Sequence, residues 1–292
     1  MDFNIGFIGL GAIGYPMAAS IRRNLKRQST VHVFDVNKSA CEKFVQQFSS
    51  FGQVEVAASP REVAAAVDVV ISMVPGAPEV SKVYLDVGDG IISAPKNPQR
   101  LYERLLKGHM LMPLFPTFEP SMATTLSDSN LPQGGVPAAE KATLSFMIGR
   151  KPDDKEDHLS QRLRQVVSMM GDPEKLFWCG DVGSGLAAKI SNNYISCSIL
   201  LLISEAMAIG VKSGVDPKML QKIIHNSTGQ TFMGDNMFLK DLSLGIDAAK
   251  QENIQPTMAE AAYGVFEKAS KDPRCIDRDG SSVYLYVTDS KT

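Results

Sequence analysis

Two groups of residues in this chain have the types and spacing to do chemistry. Gly9, Gly11 and Gly14 stand in G-x-G-x-x-G spacing inside NIGFIGLGAIGYPMAASI, residues 4–21. Lys189 and Asn193 stand four apart in SGLAAKISNNY, so on a helix both point to one face. The glycines suit backbone approach to something bulky and anionic, because a residue without Cβ turns tightly and brings its N–H against a ligand. A helix that opens at the same point adds unpaired N–H groups and a positive dipole end. The lysine suits proton transfer, since burial in a cleft disfavours its ammonium form.

The glycines gain meaning from the elements around them. Ile5, Phe7 and Ile8 precede them as a buried strand, and Met17, Ala18, Ile21 and Leu25 follow Pro16 at helical spacing. A second strand, TVHVFDV, ends in Asp35, 21 residues after Gly14. A dinucleotide fold needs an acceptor for the ribose 2′-hydroxyl at that place. The expected cofactor site is therefore Gly9, Gly11, Ala12, Ile13, Gly14 and Asp35. A carboxylate at Asp35 repels a 2′-phosphate, so NAD is expected in preference to NADP; nearby Lys38 softens that preference.

Strand and helix continue to alternate. KSACEKFVQQF reads as a helix, QVEVA as a short strand, PREVAAAV as a helix and DVVISMVP as a strand. Such alternation implies βαβ units and a parallel sheet. Residues 86–135 are rich in Pro, Gly and Ser and carry no clear period. ATLSFMIG then reads as a strand, HLSQRLRQVVSMMG as a helix, and KLFWCG as a short apolar run. After Gly180 only helical patterns remain, from SGLAAKISNNYISCSILLLISEAMAIGVKSG through DPKMLQKIIHNS and MFLKDLSLGIDAAKQE to TMAEAAYGVFEKASK. The expected fold is α/β, with a Rossmann-type parallel-sheet domain over residues 1–180 and an all-α substrate and dimerisation domain over 181–292. The closing RDGSSVYLYVTDSKT reads as a docked or frayed tail.

Composition narrows the function classes. Of 292 residues, 44% are hydrophobic and 21% charged, and the net charge is −2, which favours neither nucleic acid nor an acidic membrane surface as partner. The longest apolar stretch, residues 194–211, is interrupted by Ser196, Ser198, Ser204 and Glu205. It reads as a core or interface helix rather than a membrane span, and it makes homo-oligomerisation through the helical domain an expectation. Four cysteines (Cys41, Cys179, Cys197, Cys275) lack disulfide or metal spacing, as befits a reducing compartment. The strand at Ile5 leaves no room for a leader ahead of it, so the expected location is cytoplasmic, or mitochondrial for a chain that has lost a presequence. The four histidines are dispersed, without metal-ligand spacing, and no hydrolase signature is present.

GFIGLGAIGYPMAASI, VFDVNKSACEKF, VPAAEKATLSFMIG, GDVGSGLAAKISNNY, EAMAIGVKSGVDPKML, LKDLSLGIDAAK and GSSVYLYV together resemble the β-hydroxyacid dehydrogenases, nearest their 3-hydroxyisobutyrate branch. That resemblance implies NAD-dependent oxidation of a small 3-hydroxy acid, with 3-hydroxyisobutyrate to methylmalonate semialdehyde (valine catabolism) first. It implies that Lys189 is the catalytic lysine and Asn193 a substrate-orienting asparagine, and that the Gly134-Gly135 backbone holds the substrate carboxylate. Val74, Pro75 and Thr117 would line the nicotinamide, and Lys240 would lie beside cofactor and substrate. The departures surround the substrate. Gln133 stands where the family has a serine, FEP follows Thr117 where the family has Asp-Pro, and the loop between NSTGQ and MFLKDL is short. A reductase of a small aldehyde or keto acid, of the glyoxylate or succinic semialdehyde type, is the second reading. A catalytically weak NAD-binding scaffold is the third.

Overall fold

The computed structural model describes residues 3–95, 101–106, 123–127, 136–151, 158–181, 183–230, 257–276, 278 and 282–289. Its first half alternates as the apolar periods require: β1 (Ile5–Ile8), α1 (Gly14–Asn24), β2 (Val31–Phe34), α2 (Lys38–Phe48), β3 (Val54–Val56), α3 (Pro60–Ala66), β4 (Val69–Val74), α4 (Ala77–Leu85) and β5 (Leu101–Leu106). The five strands form one parallel sheet in the order β3-β2-β1-β4-β5. Every residue of β1 and β4 is buried, the signature of parallel strands covered on both faces. Alternation sorts them. Ile5, Phe7, Val69, Ile71 and Met73 enter one core cluster, while Ile8, Val70 and Val74 enter another.

α4, with Pro78 in its first turn, stands just ahead of the stretch without a clear sequence period, and that stretch itself holds β5 and a further strand. A second, three-stranded sheet follows, with β6 (Ala123–Ser127) antiparallel to β7 (Leu144–Gly149), and β7 parallel to β8 (Gly171–Trp178). The helices α5 (Val136–Glu140) and α6 (His158–Ser168) accompany it. The apolar run KLFWCG is the end of a longer strand that begins at Gly171. Pro173 hides that strand from a sequence reading, but a proline is tolerated on an edge strand with broken register, and β8 is such an edge.

From Gly183 onward every regular element among the described residues is a helix: α7 (Ser184–Lys212), α8 (Pro217–His225), α9 (Thr257–Ala269) and α10 (Val283–Asp289). The first compact unit runs to Lys189 and the second begins at Ile190, so the division falls within α7. In the second unit Cys197, Leu200 and Leu201 of α7 form a core with Ala262, Phe266, Ala269 and Val283. The closing segment is therefore a short docked helix, because Val283 is buried in that core. By length and composition alone α7 is apolar enough to cross a membrane, and one of its faces packs into the core just described.

One buried charge holds the first βαβ unit in place. Arg22, near the end of α1, is wholly buried. Its guanidinium donates to the carbonyls of Ser29 (2.6 Å), Gln53 (3.0 Å), Leu25 (3.1 Å) and Lys26 (2.7 Å). It thereby caps α1, whose last carbonyls have no helical partner, and ties the helix to the loops before β2 and β3. Burial lowers its pKa from the usual guanidinium value. Replacing Arg22 with Leu should cost about 3 kcal/mol or more, because four carbonyls lose their donor, those of Ser29 and Leu25 in buried bonds. A urea-unfolding midpoint equal to wild type would refute this.

Candidate active site

The cofactor turn lies at the carboxyl ends of β1 and β4. In the order 3-2-1-4-5 the chain leaves β1 on one side for β2 and returns on the other as β4. Open parallel sheets bind ligands in the crevice at such a reversal. Gly9, at φ +97°, lies in the left-handed region where a side chain is strained, and a Cβ there would overlap the Met73 carbonyl oxygen. A Cβ at Gly14 would overlap the Gly9 carbonyl oxygen. Both glycines are therefore demanded by the protein itself. Gly11 is different: a Cβ there meets no protein atom within 4 Å, so the turn has open space on this side. Pro16 stands in the first turn of α1, where its missing N–H costs no helical bond. Ala12 is exposed and Ile13 buried. The vacant side of Gly11, at the start of α1, fits a pyrophosphate.

Asp35 follows β2 directly. Its Oδ2 accepts a hydrogen bond from the Leu10 amide at 2.5 Å, and its Oδ1 accepts one from the Asn37 amide at 2.7 Å. The carboxylate is thus drawn to the same turn as Gly9 and Gly11, as the dinucleotide reading requires. Cys41 is buried beneath it. Burial pushes the Cys41 thiol up, and the Asp35 and Glu42 carboxylates push it further, against the opposing pull of the Asp35 amide. Lys38 is exposed at the start of α2. Val74 ends β4 and is buried, and its Cγ1 lies 3.4 Å from where a Cβ of Gly9 would stand; Pro75 beyond it is exposed. The fold therefore brings Gly9, Gly11, Ala12, Ile13, Gly14, Asp35, Val74 and Pro75 to one end of one sheet.

Lys189 lies in α7 and is 7% exposed. One turn before it, the same helix packs on the sheet. A Cβ at Gly185 would overlap the Met147 carbonyl oxygen, and would stand 2.9 Å from the Gly149 amide nitrogen. The helix backbone therefore presses directly on β7 there. Lys189 is one turn further on, on the same face of the helix. Sequence reasoning did not single out Gly185; the available signal was a glycine in the first turn of an otherwise apolar helix, a costly choice without a packing reason. Asn193 follows one more turn along α7 and is partly exposed. Gly134, Gly135, Thr117, Lys240 and Gln133 lie outside the described residues. No cluster of potential metal ligands occurs among the described residues.

Fold and turn together define a class: a dinucleotide-binding α/β unit joined through one long helix to a helical unit. Residues 4–101 match the model of the NAD binding domain of 6-phosphogluconate dehydrogenase. Residues 183–239 match the NAD-binding domain of NADP-dependent 3-hydroxyisobutyrate dehydrogenase. Over 96% of this chain and 88% of the relative, the sequence is 31% identical to the mitochondrial 3-hydroxyisobutyrate dehydrogenase of Drosophila melanogaster. It is 29% identical to 2-(hydroxymethyl)glutarate dehydrogenase of Eubacterium barkeri, covering 91% of this chain and 89% of that protein. The structure of Mycobacterium tuberculosis 3-hydroxyisobutyrate dehydrogenase with L-serine is similar in fold, with a TM-score of 0.75 and 24% identity over 98% of this chain and 99% of that one. The chain belongs to the β-hydroxyacid dehydrogenase family. It is an oxidoreductase with an NAD-binding domain.

Gly11 and Gly14 should separate in their effects. Gly11→Ala should leave the unfolding free energy within about 0.5 kcal/mol of wild type. It should nevertheless weaken NADH about tenfold or more, because the methyl enters the ligand's space. Gly14→Ala should lose stability as well as binding. Equal NADH affinity in Gly11→Ala and wild type, measured by fluorescence titration, would place the pyrophosphate elsewhere.

Proposed function

We propose that this protein oxidises a small 3-hydroxy acid with NAD, 3-hydroxyisobutyrate to methylmalonate semialdehyde first, which would place it in valine breakdown. The observation that carries the reading is the burial of Lys189, on the helix that follows the dinucleotide unit. When bound, the dinucleotide supplies a hydride acceptor. The substrate hydroxyl would give its proton to Lys189 Nζ as the carbon that bears it gives up a hydride and the C–O bond becomes a carbonyl. Asn193 and the Gly134-Gly135 backbone hold the hydroxyl and carboxylate ends of the substrate, so that positioning is converted into rate. Thr117 and Lys240 complete the surroundings, with Val74 and Pro75 beside the nicotinamide. Asp35 selects NAD over NADP. The likeness to 2-(hydroxymethyl)glutarate dehydrogenase makes that hydroxy acid the second candidate substrate. The scattered spacing of the four cysteines supports a reducing compartment, cytoplasmic or mitochondrial.

The helical unit supports self-association. Ile195, Leu202 and Ile209 stand 58%, 50% and 68% exposed along α7 at seven-residue intervals, a spacing that keeps them on one stripe. Covering that stripe with a second copy removes apolar area from water. Leu202→Glu should convert the oligomer to monomers in light scattering, and a wild type already monomeric at micromolar concentration would refute the arrangement.

General acid–base catalysis contributes about 10²–10⁴-fold, or roughly 3–5 kcal/mol of barrier. Lys189→Ala should lower kcat by that order while NAD affinity stays nearly unchanged. Lys189→Arg should not rescue it, because a guanidinium stays protonated and cannot accept the hydroxyl proton. Full turnover in the alanine variant would overturn the role of Lys189. A screen of wild type against 3-hydroxyisobutyrate, 2-(hydroxymethyl)glutarate, glyoxylate and succinic semialdehyde with both cofactors tests the reading as a whole. Aldehyde reduction without hydroxy-acid oxidation would favour a reductase. NAD binding without any turnover would favour a scaffold.

A further inference from the structure

The hydrogen bonds between β1 and β2 do not stop where the strands do. Gly9 donates its amide to the Phe34 carbonyl at 2.9 Å. The next amide, that of Leu10, donates to the Asp35 side chain instead of to backbone. Leu10 lies between the two glycines of the turn and is buried. The Asn37 amide holds the other carboxylate oxygen. One side chain thus continues the ladder into the turn and is itself held by two amides.

We propose that Asp35 is the positioning residue of the glycine turn as well as its ribose acceptor, so that turn geometry and rejection of a 2′-phosphate depend on one carboxylate. The proposal rests on the dinucleotide reading of the site. A carboxylate has about four lone-pair directions. Two are taken by Leu10 and Asn37, which leaves a pair for the vicinal ribose hydroxyls. Because both oxygens are already tied, the side chain reaches the ribose without losing rotamer freedom on binding. For the same reason it cannot swing away from a 2′-phosphate without releasing Leu10. Discrimination against NADP is therefore built into the turn, and removing the side chain damages the site for both cofactors.

The test compares three variants by amide hydrogen exchange at Leu10 without cofactor, and by titration with NADH and NADPH. Asp35→Asn keeps an oxygen for Leu10 and removes the charge. Asp35→Ala removes both. Asp35→Glu keeps the charge and moves the oxygens. Leu10 exchange should rise about tenfold or more in Asp35→Ala and in Asp35→Glu, and stay within about threefold of wild type in Asp35→Asn. Asp35→Asn should narrow the preference for NADH over NADPH, and Asp35→Ala should bind both more weakly than Asp35→Asn does. Asp35→Glu should still reject NADPH, which keeps the test decisive if the alanine variant fails to fold. Leu10 exchange unchanged in Asp35→Glu, or NADPH binding in Asp35→Ala at least as tight as in Asp35→Asn, would overturn the proposal. A wild type that binds neither dinucleotide would overturn the functional reading and the ribose half of the proposal with it. The exchange rates would still decide the half that concerns the turn.

Discussion

The site depends on how closely two stretches of backbone cross at the end of the sheet. The carbonyl of Met73, on β4, lies where a side chain of Gly9 would be, and the carbonyl of Gly9 lies where a side chain of Gly14 would be. This stack of strand end, turn and helix start leaves no room for a methyl group at either glycine. It aims the first turn of α1, with its unpaired amides, at the reversal between β1 and β4. It also brings the Leu10 amide within reach of Asp35. A looser crossing would lose the open space at Gly11 and the carboxylate contact together.

The helix that the turn opens is anchored along its length. Ser20 Oγ donates to the Met169 carbonyl at 2.7 Å, linking α1 to the segment between α6 and β8. Met17, Ala18 and Ile21 are wholly buried in the core. At its end Arg22 gathers four carbonyls from three segments of chain. A buried guanidinium with no carboxylate partner among the described residues is tolerable where its donors are largely satisfied and the charge is spread over a planar group. Anchored at both ends, α1 keeps its N-terminus fixed, which is what an anion site made of backbone amides needs.

The long helix α7 joins two demands. Its first turns press on β7 at Gly185, and Lys189 one turn further on is buried. Its later turns carry one face into the helical core through Cys197, Leu200 and Leu201, and leave another apolar stripe uncovered. An apolar composition nearly all round is what a helix needs when it is packed on more than one side. The same composition meets the length and hydropathy criteria of a membrane span.

Local rules were enough for the strand–helix alternation and the glycine turn, because each rests on contacts between neighbours in sequence or on a period set by backbone geometry. KSACEKFVQQF is a helix over the same residues that its period marks, Lys38–Phe48. The family was legible for the same reason, from motifs spread over most of the chain. The tertiary structure alone decided what depends on partners far away in sequence. β8 extends through Pro173 only because it is an edge strand. Val283 is part of a helix because a core formed by α7 and α9 receives it. Gly185 is required only because β7 lies against it. Asp35 holds Leu10 across a sequence separation of 25 residues, and no pattern along the chain records that its carboxylate is tied to the turn.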